Sequence, residues 1–149
     1  VLNDIGEEED IHPRNKIDAG KRLSLWALSK DYGHDNLVYS GPLYKSSHFD
    51  SSTVTITFDS VGEGLMIGEK HLLEPTQKVD APLKGFQICG KDREWKWAKA
   101  KIIAKDKVQV SHPSVTDPTE VRYAWSSNPP ATNLYNMSGL PTSVFKCMR

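Results

Sequence analysis

The strongest constraint on how this chain can fold is a change of hydrophobic period. Up to Gly33 the apolar residues recur at helical spacing, and beyond it they alternate. Residues 53–58 alternate strictly, with Val54, Ile56 and Phe58 on one side and Thr53, Thr55 and Thr57 on the other, as in a strand with one face in a core. Short runs at 65–67, 85–89, 95–104, 107–110 and 120–125 follow, separated by Gly, Pro, Asp and Ser turns. That rhythm predicts a mostly β fold over 36–149, an antiparallel β-sandwich of jelly-roll or immunoglobulin-like type. The tail 126–149, with Pro129, Pro130 and Pro141, is expected to wrap irregularly over the surface.

Ahead of the strands, 15–32 reads as one helix. Asn15 can cap its first turn, Asp18 complements the free N–H groups, and Gly33 supplies a stop. Ala19, Leu23, Trp26 and Ala27 share a face that Leu25, Leu28 and Tyr32 widen. Such a face is too apolar to leave in water. It is expected to dock on the β region near 39–43 or to pair with a second copy of the chain as a homodimer. Gly20 in the middle costs about 1 kcal/mol against Ala, which suggests close packing on a neighbouring backbone.

Composition narrows the partners. Lys plus Arg and Asp plus Glu are both 19 in the 149 residues, so no basic field steers the chain to nucleic acid or to an anionic membrane. No apolar run approaches the roughly 20 residues of a spanning helix. Cys89 and Cys147 read as two buried thiols, with a single disulfide as the alternative. His34, His48, His71 and His112 lack the spacing of a zinc site, and no metal or cofactor is expected. Trp95, Trp97, Tyr123 and Trp125 invite sugar stacking, but each i, i+2 pair on one sheet face is assigned to the core.

One stretch looks chemical. In Asp4-Ile5-Gly6-Glu7-Glu8-Glu9-Asp10-Ile11-His12-Pro13, carboxylates surround a single histidine. Pro13 biases His12 away from helical angles, which leaves the imidazole on a loop at a helix N-terminus. A histidine there, with a carboxylate near enough to orient it, is what a serine hydrolase needs as general base. Spacing alone favours the plainer reading, an acidic solvated loop with a capping histidine.

Asp4-Ile5-Gly6, Asp10-Ile11-His12-Pro13-Arg14-Asn15-Lys16 and Gly20-Lys21-Arg22-Leu23 together resemble the last conserved block of the sialate O-acetylesterases and related carbohydrate acetylesterases, members of the SGNH (GDSL-like) hydrolases. The likeness continues through 39–43, 85–88, 95–98 and 121–125 into Asn128-Pro129. It implies that His12 is the catalytic base. For the triad acid it favours Asp10, within the Asp-Ile-His-Pro pattern, then Asp4, within Asp-x-Gly; a backbone carbonyl orienting the ring is a third possibility. It also implies that 1–35 is the C-terminal end of a hydrolase domain, with 36–149 a separate β domain, and that the full-length protein is secreted or periplasmic.

The nucleophile of that family lies in a Gly-Asp-Ser-type block, and none occurs here; Ser40, Ser60, Ser111 and Ser138 stand in no such context. The chain is therefore expected to be part of a longer esterase acting on an acetylated glycan, with the N-terminal hydrolase portion as its partner, and to be inactive alone. A rival reading makes the β domain a non-catalytic carbohydrate-binding or scaffolding module.

Overall fold

A computed structural model describes residues 2–129 and 131–149, so Val1 and Pro130 of the tail lie outside the described residues. Helix α1 (Lys16–Lys30) precedes β1 (Leu43–Phe49), β2 (Thr53–Asp59), β3 (Leu65–Glu69), β4 (Gln77–Lys78), β5 (Phe86–Cys89) and β6 (Lys96–Trp97). Then come β7 (Lys99–Ala104), β8 (Lys107–Ser111), β9 (Glu120–Tyr123), β10 (Leu134–Asn136) and β11 (Phe145–Met148). The chain is thus mostly β. Its strands pair antiparallel in sheets ordered β1-β2-β8-β7, β10-β3-β4 and β11-β9-β5-β6.

The alternation in β2 does what it predicts: Val54, Ile56 and Phe58 are buried, facing the same side as their β8 partners Val110 and Val108. Phe86 and Ile88 of β5, Val121 and Tyr123 of β9, and Phe145 and Cys147 of β11 complete one core with them. Phe145 sits among the rings of Phe58, Phe86 and Tyr123. The one polar atom Tyr123 brings inside is satisfied, because the Leu134 amide donates to its hydroxyl at 3.1 Å.

The tail does not wrap irregularly. It contributes β10 and β11, and the buried Asn136 pins it: its amide nitrogen donates to the carbonyls of Ser40 and Ser60, and its oxygen accepts from the Leu140 amide. Strands of three and four residues between Pro and Gly are too short to display a period. The run 95–104 also divides, since Ala98 donates to Phe86 while β7 moves on to pair with β8 in another sheet. Cys89 and Cys147 are buried free thiols on β5 and β11, with β9 between them. Burial pushes both thiols above their ordinary range.

Two expectations for the helix need correction. The side it turns inward carries Asp18, Arg22, Leu25 and Ser29, whereas Leu23 is 72% and Trp26 45% exposed. A methyl group added at Gly20 would meet nothing within 4 Å among the described residues, so none of their backbone packs on it. The docking place is as expected: the Trp26 ring meets Tyr39 edge-on at 4.7 Å, and Lys30 lies over the same ring. Asn15 caps the helix by accepting from the Asp18 amide, and Gly33 at φ +73° ends it as His34 N–H returns to Leu28 O. Among the described residues no helix is long and apolar enough to cross a membrane.

The aromatic pairs are also split. Tyr123 is in the core and Trp95 is half-buried, but Trp97 and Trp125 are exposed. Strand position explains it: Trp97 is registered with Gln87, between the inward Phe86 and Ile88, and so faces outward.

Candidate active site

The segment ahead of α1 is anchored at its start and open at its tip. Ile5 is buried, and the Asn3 amide donates to Thr142 O at 3.0 Å. Asp4, only 2% exposed, takes a two-pronged ion pair from Arg22 at 2.6 and 2.8 Å and a hydrogen bond from the Tyr135 hydroxyl at 3.2 Å. One carboxylate therefore ties the segment to α1 and to β10. Burial and the neighbouring Asp4 charge push the Tyr135 phenol far above its ordinary range, so it acts as a neutral donor.

Beyond Gly6 the chain runs out into a loop closed on itself. Glu7 accepts from the Arg14 amide at 3.0 Å and pairs with the Arg14 guanidinium at 3.2 Å. At the tip, Asp10 Oδ1 accepts from the His12 amide at 2.8 Å and lies 3.2 Å from His12 Nδ1. This is the turn that an Asp side chain makes with the backbone two residues on, extended to include the ring. The imidazole is 75% exposed and the Asp10 carboxylate 53%. Among the described residues, no serine hydroxyl bonds to His12.

The structure therefore brings Asp10 and His12 together and commits Asp4 to Arg22 and Tyr135. A second anchor holds the root of the loop. Lys70 pairs with Asp18 at 2.6 Å, and the Asn15 amide donates both to Asp18 and to Leu72 O. Burial alone would raise the Asp18 carboxyl, but Lys70 and Asn15 outweigh it and hold the group below its ordinary value. Sequence reading missed Arg22, Lys70 and Tyr135 as partners, since each is distant in the chain from the carboxylate it serves. It also missed a Ser–His contact, Ser114 Oγ to His112 Nδ1 at 2.8 Å. The Ser114 amide also bonds that nitrogen, which makes the pair part of a local turn, with no acid among the described residues to orient the ring.

No family model matches the chain. It is similar to mouse sialate O-acetylesterase, 28% identical over 128 residues, which is 80% of this chain and 20% of the relative. It is also similar to the crystal structure of a carbohydrate acetylesterase from Xanthomonas citri, with a TM-score of 0.85 and 39% identity over 97% of this chain and 31% of that one. The chain thus spans about a fifth of the curated relative and about a third of the solved structure. By sequence and by fold, this chain is related to the sialate and carbohydrate acetylesterases.

Proposed function

We propose that this chain supplies the general-base histidine of a serine esterase that removes O-acetyl groups from sialic acid or another glycan. In this reading 1–35 is the end of an SGNH hydrolase domain, 36–149 is a β-sandwich beside it, and the serine belongs to the rest of a longer, secreted or periplasmic protein. The observation that carries the reading is the Asp10–His12 pair. With Nδ1–H directed at Asp10, the lone pair on Nε2 points away from the loop, toward whatever covers it.

The serine oxygen attacks the acetyl carbonyl as His12 Nε2 takes its proton. The imidazolium, stabilised by Asp10, gives that proton to the departing sugar oxygen, and the acetyl group stays on the serine. Water then attacks the acyl-enzyme with His12 again as base, releasing acetate and restoring the serine. No cofactor takes part. The exposure of His12, Ile11, Leu23 and Trp26 fits this division of labour, because apolar side chains next to a catalytic loop are normally covered.

The test uses the full-length protein. His12→Ala should lower kcat by about three powers of ten or more, with little change in Tm, because triad residues act as a unit. An unchanged kcat would sink the proposal.

A further inference from the structure

The histidine loop leaves the body of the fold after the buried Ile5 and returns to it at Asn15, the helix cap. Between those points, among the described residues, two sets of side-chain bonds hold it: the Asp10–His12 turn at its tip and the bonds of Glu7 to Arg14 at its neck. They fix different things. The turn orients the ring relative to Asp10, but Asp10 and His12 move together, so it leaves open where the pair sits relative to α1. The neck sets that position.

The sequence suits Glu7 to this. Pro13 has no N–H, so Arg14 offers the first backbone donor after His12. Glu7 Oε1 accepts from it at 3.0 Å, and Oε2 pairs with Arg14 Nε at 3.2 Å, which draws the two ends of the loop together. The Arg14 carbonyl in turn accepts from the Lys16 amide at 2.8 Å, so the neck runs directly into the first turn of α1. Because the Arg14 side chain is 90% exposed, its ion pair is screened by water; the bond to the amide, from a carboxylate only 28% exposed, is the stronger part of the clamp. Glu8 and Glu9 bring the same charge to the same loop, yet both are exposed and bond to nothing among the described residues. Glu7 differs from them by contact and not by charge.

We propose that Glu7 is a positioning residue for the esterase reaction: by clamping the Arg14 amide, it holds the His12 imidazole in a fixed place ahead of α1, where Nε2 can meet a serine. The inference rests on the reading of His12 as general base. A base works only within hydrogen-bond reach of its proton, about 2.6–3.2 Å, and a displacement of about 1 Å costs rate without unfolding anything.

The test has two arms. In the ¹⁵N-labelled 149-residue chain, Glu7→Ala should lower the order parameters of the Ile11 and His12 amides below about 0.6 while those of α1 stay rigid. In the full-length protein, Glu7→Ala should lower kcat by about tenfold or more, with KM and Tm little changed. Glu7→Gln, which keeps an acceptor for the Arg14 amide and gives up the charge, should recover most of that loss. Glu8→Ala, which removes the same charge without a contact, should leave kcat within about twofold of wild type. Unchanged order parameters in Glu7→Ala, a Glu7→Gln no better than Glu7→Ala, or an equal loss in Glu8→Ala would each overturn the proposal. A fall in Tm large enough to account for the lost activity would also overturn it and make Glu7 a structural residue. Full kcat in Glu7→Ala beside a collapsed kcat in His12→Ala would overturn the positioning role alone. Full kcat in His12→Ala would overturn the base reading, and the positioning role with it.

Discussion

Asp4 and Asp10 lie six positions apart on one short segment, and their surroundings divide them. Asp10 is solvated and, among the described residues, bonds only to the His12 amide and ring; Asp4 is enclosed by Arg22 and Tyr135. In the full-length protein, Asp10→Asn should lower kcat while leaving the urea midpoint unchanged. Asp4→Asn should do the reverse first, destabilising the fold by about 3–5 kcal/mol, the range for removing one charge of a buried ion pair. If Asp10→Asn keeps full kcat while Asp4→Asn loses it at unchanged stability, the orienting acid is Asp4. Asp18 makes a separate prediction. Its folded pKa lies below the ordinary value of 3.8, so its pairing with Lys70 contributes stability above that value and loses it as pH falls toward the folded pKa. Acid titrations followed by circular dichroism should show a steeper loss below about pH 4 in the wild-type chain than in Asp18→Asn.

At the scale of elements, α1 is held by its polar side and shows its apolar side. Asp18, Arg22 and Ser29 face the β region, which places the ion pairs to Lys70 and Asp4 where a hydrophobic stripe is usual. Trp26 meets Tyr39 only edge-on and stays half-exposed, so Trp26→Ala should cost about 1 kcal/mol in a urea titration, well below the loss for a buried aromatic. Leu23→Ser should change the stability of the 149-residue chain by no more than about 0.5 kcal/mol and, on the proposed reading that a hydrolase portion covers this face, cost clearly more in the longer protein. Equal, negligible effects in both would show that nothing packs on the helix. Amides of 23–28 should be protected from hydrogen exchange in the isolated chain, since the anchors at both ends of α1 are internal to it.

At the scale of the molecule, this chain should hydrolyse p-nitrophenyl acetate no faster than a matched imidazole control, because the proposed function puts the nucleophile and oxyanion donors elsewhere in a longer protein, and a base by itself supplies little rate. Saturable turnover stopped by a serine-directed inhibitor would point to a serine such as Ser114, beside His112. The antiparallel, mostly β architecture and the helix with its Asn15 cap and Gly33 stop were legible in the sequence. Each rests on residues close together in the chain, where period, capping and turn chemistry act locally. The ion pair of Asp4 with Arg22, the clamp of Lys70 on Asp18, the recruitment of the tail as β10 and β11, and the outward turn of Trp97 were decided by tertiary structure. Those features depend on which strand neighbours which, and charge pairing across such contacts overrode the apolar stripe of the helix, turning its polar side inward.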